Sequence, residues 1–254
     1  MGSLTISNEA LLYSSLLIVI ALVIDYKEQL GLGKDIFIAA IRAVVQLFLI
    51  GYVLGYVFEL DNIIVTLTMA LFIIFNAAYN AGKNANHIKN SFSISLAAIA
   101  AGTVLSLAVL LFSGALEWTP SQVVPITGMI ASNAMTAIGV GYRTMHSKFT
   151  DQRQQVLERL ALGATASQAS KLIVRESIKS AMAPTVDRTK TVGIVSLPGM
   201  MSGLMFAGID PFEAIRYQIV VMFMLIATTG FSTMIASYLS YRSYFNEQTQ
   251  LIIK

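Results

Sequence analysis

Seven apolar stretches, near residues 9–25, 36–58, 62–82, 91–114, 120–142, 192–208 and 212–240, constrain this chain more than any motif in it. Each supplies roughly the 20 residues that cross about 30 Å of hydrocarbon, although the sixth is short. Lipid offers no partner to an unpaired backbone amide, so every stretch is expected to be a helix. The predicted fold is all-α: one polytopic membrane domain over 1–254, with seven transmembrane helices. Composition agrees, since 56% of the 254 residues are hydrophobic and only 12% are charged. A soluble domain carries about 25% charged residues.

The few charges assign sides. With the N-terminus outside and the C-terminus inside, the inner regions are 25–35, 83–90, 143–191 and the end of the chain. Of the 17 Lys and Arg residues, all but Arg216 then fall inside or, like Arg42, close to that side. This asymmetry is what positive-inside insertion produces, and a missed span would scramble it. Glu9 opens the first stretch and no basic residue precedes it, so a retained span is expected rather than a cleaved signal. The localisation implied is a multi-pass place in the plasma or inner membrane. The chain has no cysteine, which excludes disulfides and thiolate metal sites. Its formal charge of +3 is too small to suggest nucleic acid.

The one long polar segment, 143–191, carries helix signals. Residues 151–162 present an apolar stripe of Val156, Leu157, Leu160 and Ala161, with Asp151 in the first turn, where the helix dipole favours a negative charge. Gly163 stands where helices stop in the left-handed conformation. Thr165 and Gln168 then form the pattern of a capping box. The second helix is expected to run to Ala183 and to end at Pro184. The product is a helix–turn–helix elbow. On its second helix Lys171, Arg175 and Lys179 share a face. That face is either solvated near lipid phosphates or a docking surface for a soluble partner.

"RLALGATASQASKLIVRESIKSAMAP" resembles the cytoplasmic coupling segment of ABC transporter permeases. Leu157-Glu158-Arg159 stand where the import permeases carry Glu-Ala-Ala, so the match is partial. "AAIRAVVQLFLIGYVL", "PITGMIASNAMTAIGVGYR" and "SLPGMMSGLMFAGIDPFEAIRYQIVVMF" resemble the FetB-type permeases, over about residues 10 to 245. Those are membrane subunits of iron-exporting ABC transporters, in a family that includes plant aluminium-tolerance proteins. The resemblance implies a homodimer paired with two copies of a separate cytoplasmic FetA-type ATPase, which binds the ATP and Mg. It implies a metal, iron, as cargo. It also implies ATPase-coupling roles for Glu158, Arg159, Leu162, Gly163, Ala164, Thr165, Gln168, Lys171, Arg175 and Lys179.

The chain has no nucleotide site of its own, because neither Gly33-Lys34 nor Gly82-Lys83 has the glycine a P-loop needs upstream or a hydroxyl residue after it. It has no catalytic constellation either: its two histidines, His87 and His146, fall at the inner surface, and no acidic residue lies mid-span. A secondary carrier or channel for a metal or small anionic solute is the rival reading. It would need carboxylates or broken helices at mid-membrane, and only Pro198-Gly199 hints at a break.

Candidate path residues are the polar groups inside spans. Arg42 and Gln46 share a face of the second span. They either snorkel and glue helices, or line a path better suited to an anionic or chelated cargo than to a bare cation. Asn76 and Asn80 continue through Lys83 to His87 as a polar stripe, and Asn133 and Thr136 are similar. No metal-ligand set is assigned. Met201 and Met205 are either soft ligands or, more simply, packing residues. On the sixth stretch Ser196, Gly199, Gly203 and Ala207 form a small-residue seam for close helix contact, with Met201 and Met205 on the opposite side.

Overall fold

A computed structural model describes residues 7–83, 85 and 87–252, so Lys254, counted above with the inner side, lies outside the described residues. The described residues hold six helices long and apolar enough to cross a membrane. They divide into two compact units, Met1–Asp61 and Asn62–Lys254.

The first unit is a helical hairpin of α1 (Asn8–Ser14), α2 (Leu16–Glu28) and α3 (Gly33–Leu60). Its reversal uses Gln29 and Gly31 at φ 51° and 74°. Asp25 closes it: Oδ1 accepts from the Leu32 backbone N–H at 2.7 Å. Gly33 is required there, because a Cβ would stand 2.8 Å from Asp25 Oδ2.

The second unit contains α4 (Ile63–Lys83), α5 (Ser91–Phe112), α6 (Pro120–Asp151), α7 (Arg153–Ala161), α8 (Ala166–Thr191), α9 (Gly199–Phe206) and α10 (Pro211–Ser240). A 3-10 turn follows at Tyr241–Tyr244. Helix α4 packs on α5 and α6, and α10 packs on α5, α6, α8 and α9. Two apolar clusters fix directions. One gathers Val123 and Ile130 of α6 with Val221 and Leu225 of α10. The other gathers Met145 and Phe149 from the far end of α6 with Tyr241 and Tyr244, just beyond α10. Helices α6 and α10 therefore run parallel.

The seams that let helices approach are small and hydroxylated, as expected where apolar surface alone gives no preference for a neighbour. Ser106 Oγ and Thr228 Oγ1 hydrogen-bond between α5 and α10. A Cβ on Gly102 would strike Ser232 of α10. A Cβ on Gly141 would meet Thr233 at 3.4 Å and Ala181 at 3.6 Å, so α6, α8 and α10 converge at that glycine.

Three sequence expectations change. The stretch 192–208 is not a continuous span: residues 192–198 carry a Val192–Ser196 bridge and a turn at Gly193, φ 82°. Only the 8 residues of α9 are helical, about 12 Å of rise. Pro198 is the N-cap of α9. Helix α8 does not stop at Pro184 but contains it and continues to Thr191. A single proline removes one backbone bond and crowds the carbonyl four residues back, which bends a helix that flanking packing holds in place. Finally, α6 runs on to Asp151, so that residue closes α6 rather than opening α7.

The predicted seam also changes. Ser196, Gly199, Gly203 and Ala207 are exposed, and a Cβ on Gly199 or Gly203 would meet nothing within 4 Å. Met201 is buried and Met205 half-buried. Helix α9 lies against α10 and leaves its small face open.

Candidate functional site

Helix α8 joins the two features that carry the functional argument. It has 26 residues, about 39 Å of rise. Its first turn belongs to the elbow and its last two turns to a polar pocket.

The elbow follows from local chemistry. Helix α7 ends at Ala161, and Gly163 adopts φ 88°, a value an L-residue rarely takes. Thr165 Oγ1 accepts from the Gln168 N–H, and Gln168 Oε1 accepts from the Thr165 N–H at 2.9 Å. Arg159 Nη1 donates to the Ala169 carbonyl at 3.2 Å and ties α7 to α8. Val156 is buried with Ile173 and Val174 under the turn. Glu158 is exposed and accepts from Gln154 at 3.2 Å. Lys171, Arg175 and Lys179 are exposed, and Ala164 is half-buried. Leu162 is 88% exposed at the corner, an apolar side chain without cover. An ion pair, Lys148 to Glu176 at 2.9 Å, fastens α8 to α6. The hydrogen bond from Lys148 holds the Glu176 carboxyl below its ordinary value.

The pocket lies between α6 and α8. It has a volume of about 260 Å³ and is lined by Ser132, Asn133, Thr136, Pro184, Thr185 and Arg188, among others. Helix α8 runs antiparallel to both α6 and α10. Beside Lys148–Glu176 and Gly141–Ala181, Thr185 approaches Thr229 at 3.5 Å, and Thr189 donates to Met222 Sδ at 3.8 Å. Asp187 pairs with Lys190 at 3.1 Å. No carboxylate among the described residues lies within ion-pair distance of Arg188.

Of the sequence candidates, Asn133 and Thr136 are thus brought together, and Arg188 and Thr185 join them. Those two were missed because 143–191 read as inner loop; the signal was the proline, which invited an early helix stop. Asn76 and Asn80 are exposed on α4 and donate to the carbonyls of Phe72 and Asn76. Arg42 and Gln46 are exposed on α3 in the first unit. At the far end of the Asn76–His87 stripe, the His87 ring lies 4.1 Å from that of His146. Burial, and then the His146 charge, push the His87 imidazole below its ordinary pKa. No group of three or more His, Cys, Asp or Glu residues suited to a metal occurs among the described residues.

Residues 8–245 match the family described as "Uncharacterised protein family (UPF0014)". The chain is 51% identical to the "Probable iron export permease protein FetB" of Escherichia coli K12, over 100% of its own length and 98% of that protein. It is 37% identical to "UPF0014 membrane protein STAR2" of rice, over 92% of this chain and 82% of that one. It is 34% identical to "Protein ALUMINUM SENSITIVE 3" of Arabidopsis thaliana, over 92% and 86%. No solved structure matches it.

Proposed function

The chain belongs to the UPF0014 family of multi-pass membrane proteins, and from that premise we propose that it is the transmembrane subunit of an ABC transporter that exports a metal, iron. Its working unit in this reading is a homodimer with two copies of a cytoplasmic FetA-type ATPase, which binds ATP and Mg. The 51% likeness to a protein named as an iron export permease supports the cargo class. The single observation that carries the mechanism is the continuity of α8 from the elbow to the polar pocket.

The parallel course of α6 and α10 bears on topology. Both begin on one side and end on the other, so the chain between Asp151 and Pro211 must return across the same thickness. Seven crossings, with the N-terminus outside and C-terminus inside, are kept if α8, the 192–198 link and α9 together make the return. The sixth crossing is then polar and broken rather than apolar and continuous.

In this mechanism the ATPase dimer closes on the elbow, where exposed Leu162 and the basic face of Lys171, Arg175 and Lys179 receive it. Helix α8 transmits the push as a rod, and Pro184 lets its last two turns reorient beside Asn133 and Thr136. Co-expression with the ATPase tests the reading: replacing Lys171, Arg175 and Lys179 together by Glu should abolish co-purification, and deleting the gene should raise cellular iron under iron load. Unchanged iron in the deletion strain would reject the cargo.

A second reading has one observation in its favour. Broken helices with polar lining also serve ATP-independent carriers of a metal or small anion, and the α8–α9 break has that form. Transport that persists without the ATPase would favour it.

A further inference from the structure

We propose that Arg188, with Asn133, Thr136, Ser132 and Thr185 around it, is an oxyanion-binding site at mid-membrane depth. The cargo would then pass as a carboxylate- or phosphate-bearing species, alone or wrapped around a metal, rather than as a bare cation. This rests on the permease reading above and deepens it.

Depth comes from the pairings. Arg188 shares a pocket with Asn133, 13 residues into α6 from Pro120, or roughly 20 Å along the helix. Its neighbour Thr189 reaches Met222, 11 residues into α10 from Pro211, or roughly 17 Å. With Pro120 and Pro211 taken at the outer edge of a ~30 Å hydrocarbon layer, both helices put Arg188 more than halfway through it. An arginine at such a depth faces water or an opposite charge, because neither lipid nor apolar packing solvates it.

Chemistry comes from the lining. Asp187 is engaged by Lys190, and no carboxylate among the described residues lies within ion-pair distance of Arg188. Asn133 donates one amide proton to the Met129 carbonyl at 2.8 Å and keeps the other. The Ser132 and Thr136 hydroxyls donate to the Met129 and Ser132 carbonyls at 3.2 and 2.9 Å, and Thr185 lies 3.5 Å from Thr229, so each gives a ligand its proton only by exchanging that bond. A guanidinium with amide and hydroxyl donors is a fork for carboxylate or phosphate. It is repulsive to a naked divalent cation, and no acidic cluster among the described residues stands beside it to offset that.

The absence of cysteine makes the test clean. In the full-length protein in detergent, Thr185→Cys or Ser132→Cys is labelled with an anionic and a cationic methanethiosulfonate reagent of equal size. Residues 185 and 188 are neighbours on one helix face, so the ratio of anionic to cationic rates should be about tenfold higher with Arg188 present than with Arg188→Gln, and Arg188→Lys should restore most of it. Citrate or phosphate should slow labelling in the Arg188 background, and ferric citrate compared with citrate alone distinguishes a chelate from a free anion. A ratio indifferent to Arg188→Gln, protection by ferrous ion alone, or no protection by any of the anions overturns the proposal. If iron efflux still depends on the ATPase in that case, the permease reading stands without it.

Discussion

Helices α8 and α10 lie against each other and have similar lengths, 26 and 30 residues, yet they are built on opposite plans. Helix α10 turns its hydroxyls inward: Thr228, Thr229, Ser232, Thr233 and Ser237 are buried, while Phe212, Phe223, Met234 and Tyr238 are exposed. That is how a helix solvated by lipid is arranged. Helix α8 buries Ala169, Ile173, Val174 and Ala181 and exposes Lys171, Arg175, Lys179, Asp187 and Arg188. That arrangement suits water. The two helices nevertheless share a contact from Met182 to Thr189, where α10 offers Gly230, Thr229 and Met222. In the proposed mechanism α10 then belongs to the scaffold and α8 to the moving polar path.

The contrast can be broken in order of expected effect. Gly102→Leu drives a side chain into Ser232 on the scaffold side and should cost about 3 kcal/mol or more, read as loss of monodisperse protein in detergent. The triple Glu variant at Lys171, Arg175 and Lys179 should leave the fold intact and remove ATPase co-purification, because exposed substitutions barely change stability. Gly163→Val forces a β-branched residue to φ 88° and should cost roughly 1–2 kcal/mol while uncoupling ATPase stimulation. Stimulation equal to wild type would remove the elbow from the mechanism. Gly203→Leu meets nothing inside the chain, so thermal stability should move by less than about 0.5 kcal/mol. A fall in the dimer fraction would mean that the open face of α9 is covered by a second copy.

The smallest effects concern pH. The folded-state pKa of His87 is lowered, so the unfolded chain takes up the proton first. Its contribution is therefore constant above the unfolded value of about 6.5 and is lost as pH falls below it. Glu176 is also depressed, so its contribution is present above the ordinary carboxylate range and fades as pH falls through that range. Denaturation midpoints between pH 7 and pH 5 should fall less in His87→Gln than in the parent. Equal slopes would show that the His87–His146 contact does not drive acid sensitivity.

What was legible in the sequence is what local physics decides. Long, nearly uncharged stretches become helices because lipid cannot pair a backbone amide, and α3, α5 and α10 answer to that rule. The turn at Gly163 and the Thr165–Gln168 cap depend on residues three or four apart. Tertiary structure decided the rest. Hydropathy ranked 192–208 above 166–191, because it weighs each residue alone, yet only eight residues of the first are helical and α8 is the longer helix beside α6. Pro184 reads as a stop unless neighbours on both sides hold the helix through it, and Gly141, Thr229 and Met222 supply them. Gly199 and Gly203 read as a seam, but whether a small face is packed depends on which side α10 occupies. The meeting of Arg188 with Asn133, 55 residues apart in the chain, follows only from the antiparallel course of α8 against α6.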